Sequence, residues 1–466
     1  MLFNKKKQDI TADTKRKQKT VPYMGSDKQL NNNEYLDYDN SAYMMLHRAT
    51  TEWPCLSCDF LSGQFRQDFN YPQTSQFCRK DLDYPLDLMA VAGSQASLPS
   101  KNKIYVMRMA NLLKTHRDDD PEADQEDEEK LFNEGNPIIL HASIPIKGGI
   151  NRIRAMQGYP LIATWCETRQ VKIFDVGAIA KQLKDADITD RSQRKPRTEN
   201  LGAINNFKSG CEGYGLDWSP LKPGLLASGN MNGTLQLYQA SDETCSNFTR
   251  LGSDLNFHQD SLEDIQFCPN EKDTLATCSV DGTINFIDLR SLSSGPRLTI
   301  EVADVDVNVI SWNKVSPNLI AAGLDDGSFK VYDLRHPAED PITYVRWHED
   351  QITSIQWQPD DKWTLAVASA DNRLSIWDFS IEGDDDEMDM QDEGAEVPEQ
   401  IIFLHQGQDD IKELRWSPGV HNTLMSTALS GFNLFQPGTD QSGSAMLEDE
   451  DFDDNELDLI PDQIQN

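Results

Sequence analysis

Five segments between residues 213 and 437 share one pattern of hydrophobic and polar positions. Each begins with an alternating run that ends in an aromatic residue, continues with an apolar run rich in small residues, and closes with a second alternating run. Tight-turn pairs precede the closing run, as in Asn232-Gly233, Asp281-Gly282 and Asp326-Gly327. A period of two predicts β-strands, and an Asn-Gly or Asp-Gly pair between such runs predicts a hairpin. The five segments are 213–239, 262–290, 307–335, 352–379 and 411–437.

The aromatic residues that end the first runs measure the period of the repeat. They are spaced 49, 45, 45 and 59 residues apart, at Trp218, Phe267, Trp312, Trp357 and Trp416. A unit of about 40–45 residues with four strands is typical of a WD-repeat propeller blade. Residues 150–176 form a sixth, weaker copy, and residues 54–110 form a seventh that loops interrupt. The sequence therefore predicts an all-β fold, a seven-bladed WD40 β-propeller.

The last copy lacks a fourth strand after Phe435, so another segment must complete it if the ring closes. AYMMLHRA, residues 42–49, stands before the first copy, where the other copies carry their outer strand. We predict that this segment completes the last blade.

Charged stretches outside the repeat define the expected domain limits. We expect a disordered basic tail over 1–30, a propeller over 31–437 and a disordered acidic tail over 438–466, because clustered charge with few apolar residues disfavours order. Two acidic inserts, 117–130 and 382–398, interrupt the first and sixth blades.

Net charge limits the classes of partner. The chain has 77 acidic and 43 basic residues and a formal charge of −34. Nucleic acid and anionic membranes would repel such a chain, so we expect no direct nucleic-acid contact and a strongly basic protein as partner. We predict no secretory leader and no membrane-spanning helix, because no sufficiently long apolar run is present. We expect a monomer.

No pattern of catalytic or cofactor-binding residues emerges. The motifs GxSxG, HExxH and GxxxxGK[ST] do not occur, so we predict a protein that is not an enzyme and needs no cofactor. Cys55 and Cys58 form a CxxC within a predicted strand, where residues three apart point to opposite faces. We therefore predict no metal site.

Acidic residues recur six or seven positions before the aromatic residue that ends each first strand. In a propeller these positions lie on one rim of the central channel, and a ring of like charge favours a cationic partner. The rim residues are Glu212, Asp260, Asp306, Asp350, Asp409 and Asp410.

Several stretches resemble the glutamate-rich WD-repeat family over about residues 35–437. They are EWPCLSCDF after SAYMMLHRA, the pair GGINRIRAMQ and CEGYGLDWSP, and FLHQGQDDIKELRWSP followed by STALSGFNLF. The resemblance implies a ribosome-biogenesis factor that chaperones a basic large-subunit ribosomal protein.

The broader relatives are the retinoblastoma-binding, histone-binding WD propellers, which hold a basic histone helix between an N-terminal helix and an acidic loop of the sixth blade. This resemblance implies partner-binding roles for Asp384, Asp385, Asp386 and Glu387 in the acidic loop, and for Glu212, Tyr214, Glu263, Asp306 and Asn308 at the rim. The sequence departs from that pattern in two places. Residues 29–43 have weak helical periodicity, and Gly149 and Ile150 bring no acid to the rim.

Three functions therefore remain open: a ribosomal-protein chaperone, a histone chaperone or chromatin adaptor, and a substrate receptor of a cullin ubiquitin ligase. The third rests on two IDLR and YDLR stretches, 287–290 and 332–335, that resemble the WDxR box of such receptors. Basic clusters at Lys5–Lys7 and Lys15–Lys17 resemble a nuclear-import signal. We expect the protein in the nucleus and nucleolus, and also in the cytoplasm if it meets its client during synthesis.

Overall fold

The fold is described by a computed structural model that covers residues 42–61, 84–115, 137–337, 340–381 and 397–438. Nearer the N-terminus it gives the backbone of three short strands, Phe3–Lys7, Pro22–Tyr23 and Glu34–Asp37, which form one antiparallel sheet with Phe3–Lys7 in the centre. The sequence pattern did not predict these strands. The boundary at residue 30 stays a prediction, and both tails and nearly all of the two acidic inserts lie outside the described residues.

Seven antiparallel sheets form the predicted propeller, and the fold class is confirmed. The innermost strand of each sheet contacts the innermost strands of both neighbours, and that of blade 7 contacts that of blade 1, so the ring is closed. From the innermost strand outward, blades 1 to 3 comprise Cys55–Phe60, Leu86–Ser94, Lys103–Leu112, Ile138–Pro145; Ile150–Ala155, Leu161–Cys166, Gln170–Asp175, Asn205–Lys208; and Leu216–Trp218, Leu225–Gly229, Thr234–Ala240, Phe248–Asn256.

Blades 4 to 7 follow the same order. Their strands are Leu262–Phe267, Thr274–Ser279, Thr283–Asp288, Leu298–Glu301; Val307–Trp312, Leu319–Leu324, Ser328–Asp333, Thr343–Arg346; Ile352–Trp357, Thr364–Ser369, Leu374–Asp378, Ile401–His405; and Ile411–Trp416, Leu424–Ala428, Gly431–Pro437, Tyr43–Ala49.

The N-terminal strand Tyr43–Ala49 closes the ring as predicted. It pairs antiparallel with Gly431–Pro437, from Phe432 opposite Ala49 to Pro437 opposite Tyr43. The Tyr43 hydroxyl also lies 2.7 Å from Nδ1 of His405 on the outer strand of blade 6. Segments from opposite ends of the propeller thus share one sheet.

Small residues in the second strands permit close contact between blades. A Cβ atom on Gly93, Gly229 or Gly323 would lie 2.2–2.6 Å from side-chain atoms of the next blade. The obstructing side chains, Ile150, Leu262 and Ile352, all stand at the start of the neighbouring innermost strand. The hydrophobic clusters accordingly combine residues of adjacent blades.

Blades 4 and 6 carry a buried histidine network. In blade 6, His348 Nδ1 lies 2.9 Å from Asp371 Oδ2 and His348 Nε2 lies 2.9 Å from Ser375 Oγ. His258 and Asp281 make the matching contact at 3.0 Å in blade 4. Each network joins the loop that enters the blade to the turn between its second and third strands, which is a structural role.

An insert in blade 2 covers the outer edge of blade 1. It contains the helix α1, Gly177–Asp185, whose Ile179, Ala180 and Leu183 are buried against blade 1. Arg108 caps the helix C-terminus by donating to the carbonyls of Leu183, Lys184 and Ala186 at 2.8–3.0 Å. The strand Arg197–Thr198 then pairs in parallel with Ile138–Pro145 as a fifth strand of blade 1. Among the described residues, no helix is long and apolar enough to cross a membrane. Short 3-10 helices occupy Pro99–Lys101, Arg191–Arg194 and Leu292–Ser294.

Candidate functional site

One backbone hydrogen bond recurs in all seven blades and fixes the loop that enters each innermost strand. In blades 3, 5 and 7, the carbonyls of Glu212, Asp306 and Asp409 accept N–H bonds of 2.9–3.1 Å from the turn between the second and third strands. Pro54, Gly149, Ser261 and Gln351 are the acceptors in the other blades. The predicted register is therefore real, with the acids of blades 4 and 6 displaced by one residue.

Those displaced acids are Asp260 and Asp350, and both are exposed. Each carboxylate accepts the N–H of the following residue, Ser261 or Gln351, at 2.7 Å. The remaining capacity of the two carboxylates faces solvent, where it can receive further donors.

Tyr214, Glu263 and Asn308 stand at one register position of blades 3, 4 and 5, four residues before the terminal aromatic residue. All three are half-buried. Asn308 Nδ2 donates to Asp325 Oδ1 at 3.2 Å, which brings the turn of blade 5 into the group. We call this group the acidic mouth, and it comprises Glu212, Tyr214, Asp260, Glu263, Asp306, Asn308 and Asp325.

The carboxylates of the acidic mouth raise one another's pKa. Burial raises the pKa of Asp306, and the charges of Asp325 and Asp260 raise it further. Burial likewise raises the pKa of Glu263, with Asp306 adding to the effect and Arg152 opposing it. The mouth is thus a site of crowded negative charge, and a bound cation would relieve the repulsion.

A tyrosine stands within this field. Burial raises the pKa of Tyr214, and the nearby carboxylates of Glu212 and Glu263 raise it further. A neutral phenol ring beside carboxylates suits a lysine or arginine side chain, which can stack on the ring while its charge meets the acids.

Negative charge is weaker elsewhere on the rim. Asp410 pairs with Lys412 at 2.7 Å, although Asp409 is exposed. Blade 2 presents Asn151 and Arg152 rather than an acid, as Gly149 and Ile150 led us to expect. The mouth therefore centres on blades 3 to 5, and the predicted rim residues of blades 6 and 7 extend it on one side only.

A buried ionic cluster lies in the channel wall. Glu413 is 1% exposed and accepts from Arg154 at 2.7 Å, Arg152 at 3.1 Å and Ser57 at 2.6 Å. Burial opposes its ionisation, but the three arginines Arg154, Arg415 and Arg152 hold the pKa of Glu413 well below its usual range.

Sequence reasoning missed both this cluster and Asp325. The charged pair in KELRW and the arginines in NRIRA were visible, but only the ring closure brings blades 7 and 2 together. Asp325 precedes the Asp326-Gly327 turn, and turns on the same rim could have been scanned for acids as the loops were.

Other predicted features have plain structural outcomes. Cys55 and Cys58 are buried free thiols, and burial raises the pKa of Cys55 to about 12. Within the described ranges, no group of three or more His, Cys, Asp or Glu could hold a metal ion. The acidic-loop residues Asp384, Asp385, Asp386 and Glu387 lie outside the described residues.

The two WDxR-like stretches carry exposed arginines that are bound locally. Arg290 donates to Asp288 at 2.6 Å, and Arg335 pairs with Asp333 in the same way. These contacts stabilise the turn that follows each third strand.

Comparison with known proteins assigns the family. Residues 33–113 match the family described as histone-binding protein RBBP4, which also takes in a component of the CAF1 complex, and residues 339–378 match the WD domain, G-beta repeat. Ribosome assembly protein rrb1 of Schizosaccharomyces pombe is 34% identical over 89% of this chain and 84% of its own. Glutamate-rich WD repeat-containing protein 1 of Dictyostelium discoideum is 35% identical over 87% of this chain and 83% of its own. Protein HEAT STRESS TOLERANT DWD 1 of Arabidopsis thaliana is 30% identical over 93% and 95%, respectively. The chain belongs to the glutamate-rich WD-repeat family, which is related to the histone-binding WD propellers.

Proposed function

We propose that this protein is a ribosome-biogenesis factor that binds and shields a basic large-subunit ribosomal protein before assembly. The observation that carries the proposal is the acidic mouth, where Asp306 and Glu263 have raised pKa values because burial and neighbouring carboxylates both disfavour their charge. A relative named for ribosome assembly, similar over most of the chain, supports the same biological setting. The protein acts by binding and catalyses no reaction.

The mouth would recognise a short basic segment of the client. One lysine or arginine would stack on Tyr214 between Glu212 and Glu263, and a second would meet Asp306, Asp260 and Asp325. Bringing cations to these groups removes their mutual repulsion, so binding gains from charge already stored in the free protein. The acidic insert with Asp384, Asp385, Asp386 and Glu387 would hold the client beside the propeller, and the rim residues Asp350, Asp409 and Asp410 would extend the contact. The protein works as a monomer, in the nucleus and nucleolus.

The test is affinity purification from cells at low salt, with identification of the bound proteins. One ribosomal protein free of ribosomal RNA should dominate. The double variant Glu263→Gln and Asp306→Asn should lose that protein. The matched control, Glu243→Gln and Asp340→Asn, removes two exposed acids from loops at the other end of the blades and should retain it. Equal capture by both variants would refute the role of the mouth.

A histone client is the second candidate, because residues 33–113 match the histone-binding family. Core histones in place of a ribosomal protein, lost with the same double variant, would assign the mouth to a histone chaperone and overturn the first proposal.

A further inference from the structure

The strong negative charge of the chain conceals one basic region. Residues 146–211, which contain blade 2 and its insert, hold twelve Lys and Arg against six Asp and Glu. This region is therefore positive by six charges, whereas the chain as a whole carries −34. Charge separated in this way points to a surface with its own partner.

The cations of this region converge on one side of blade 2. Lys172 lies opposite Asn206 and Gln170 lies opposite Lys208, so strand alternation places Lys172 and Lys208 on the same sheet face. That face also bears Ile162 and Phe174, which share a hydrophobic cluster with α1. The exposed Lys181 of α1 and the half-buried Arg197 of the added strand of blade 1 thus belong to the same side of the molecule. We call Lys172, Lys181, Lys195, Arg197 and Lys208 the basic edge.

Acids within the insert do not neutralise the basic edge. Asp187 accepts from the N–H and hydroxyl of Thr189 at 2.7–2.8 Å, and Asp190 accepts from Ser192 and Gln193 at 2.8–3.0 Å. Among the described residues, no carboxylate forms an ion pair with Lys181, Lys195 or Lys208. All three lysines are exposed.

We propose that the basic edge binds the phosphate backbone of RNA. Protein partners are anchored mainly by buried aromatic and apolar groups, but no large hydrophobic side chain is exposed among residues 146–211. The edge instead combines Lys and Arg with exposed polar residues such as Gln182 and Asn206, which suits phosphate and sugar contacts. Overall repulsion does not prevent this, because charges more than about 8 Å apart are screened at physiological salt.

The inference goes beyond the client site and does not depend on it. The acidic mouth is formed by blades 3 to 5, whereas the basic edge is formed by blade 2, α1 and the outer edge of blade 1. A chain that binds a basic client with one surface and RNA with another could bring the two together.

The test uses the full-length chain and two fluorescent probes of about 20 nucleotides, one single-stranded RNA and one RNA duplex. The triple variant Lys181→Glu, Lys195→Glu and Lys208→Glu should lower affinity at least about tenfold at low salt. The dependence of log affinity on log salt should become shallower by about two, because up to three phosphate contacts are lost. The matched control, Lys101→Glu, Lys272→Glu and Lys362→Glu, changes net charge equally at exposed lysines of other blades and should bind RNA as the unaltered chain does.

Three outcomes would overturn the proposal: no RNA binding by the unaltered chain at low salt, equal loss in the control variant, or loss only when the N-terminal clusters Lys5–Lys7 and Lys15–Lys17 are neutralised. Capture of an acidic protein that depends on the same lysines, without RNA binding, would assign the edge to a protein instead. Thermal melts of both triple variants establish that they are folded, so that a loss of binding reports on the surface.

Discussion

The Glu413 carboxylate of blade 7 lies 2.7 Å from the Arg154 guanidinium of blade 2, although the residues are 259 positions apart in the chain. The same carboxylate accepts the N–H of Cys58 in blade 1 at 2.9 Å. One side chain therefore joins three consecutive blades at the place where the ring closes. Neighbouring innermost strands are linked in a similar way elsewhere, as where Gln356 accepts the N–H of Trp416 at 2.7 Å.

Replacing Glu413 by Gln should destabilise the protein by about 3–5 kcal/mol, because it leaves buried arginines without their counter-charge. The depressed folded-state pKa of Glu413 means that its contribution is present above the unfolded-state value near 4.5 and is lost as pH falls towards the folded-state value. Denaturant unfolding at pH 7 and at pH 4 measures both effects. The variant should lose less stability on acidification than the unaltered chain, and parallel pH curves would contradict this account.

Asp217 should behave in the opposite sense. Burial raises the pKa of this carboxyl to about 7, while its side chain accepts the N–H of Phe267 at 2.8 Å. The folded state thus binds a proton that the unfolded state has lost between about pH 4 and pH 7, so stability falls as pH rises through this range. Asp217→Asn keeps the acceptor without the charge. Since Asp217 is only partly shielded from solvent, we expect a gain of about 1 kcal/mol at pH 8 and little gain near pH 4.

The control for this prediction is Glu199→Gln, which removes a carboxylate from the blade 2 insert, far from Asp217 in the fold. Unfolding curves of both variants at the two pH values are the measurement. A gain for Asp217→Asn that is equal at pH 4 and pH 8 would show that the charge of Asp217 is not the cause.

Local pattern made most of the fold predictable, because each blade repeats the same short-range signals. The turn at Asp281-Gly282 needs glycine, since Gly282 has a φ of +78° and a Cβ there would meet the Ala303 carbonyl at 2.2 Å. The missing strand after Phe435 likewise predicted the strand from Tyr43, because an unpaired sheet edge requires a partner.

The candidate site was predictable only where it follows the repeat. Glu212 and Asp306 were found because loops at one register position meet at one rim. Glu413, Arg152 and Arg154 were not found, because they meet only through ring closure, which brings together residues far apart in sequence. The helix α1 was also unforeseen, since its apolar face is short and is completed by contacts with blade 1.

Two truncations test the N-terminal boundary and the closing strand. Removing residues 1–30 should leave the melting temperature of the propeller nearly unchanged, because the described blades begin with the segment at residue 42. Removing residues 1–49 deletes the outer strand of blade 7 and exposes Phe435 and Leu434, which are otherwise buried. We expect this shorter chain to aggregate or to melt at much lower temperature. A cooperative melt at the original temperature would show that blade 7 needs no fourth strand.

Deleting Asp384–Glu396 tests the acidic insert of blade 6. The outer strand Ile401–His405 pairs with Leu374–Asp378 without that segment, so we expect an unchanged melting temperature. Client binding should weaken, and more so at low than at high salt, because screening already reduces the contribution of exposed charge. Replacing the segment by a Gly-Ser linker of equal length is the control for chain length. Should the linker variant bind as the unaltered chain does, the insert is a spacer.

The last prediction concerns the pH dependence of the acidic mouth. The raised pKa values of Glu263 and Asp306 mean that protons leave these carboxyls at a higher pH than from free carboxylic acids. A cationic client binds the deprotonated form, so affinity for a basic peptide should fall on acidification sooner than ordinary acids would require. Glu263→Gln should weaken binding about tenfold at pH 7 and make it less dependent on pH.

The same substitution should stabilise the free protein by about 0.5 kcal/mol at pH 7, because it removes one charge from a crowded group. Calorimetric titration with a Lys- and Arg-rich peptide, together with thermal melts, measures both properties. Gain of stability with loss of binding is the signature of charge held in place for a partner. Loss of both would identify Glu263 as a structural residue and would remove the main physical argument for the mouth.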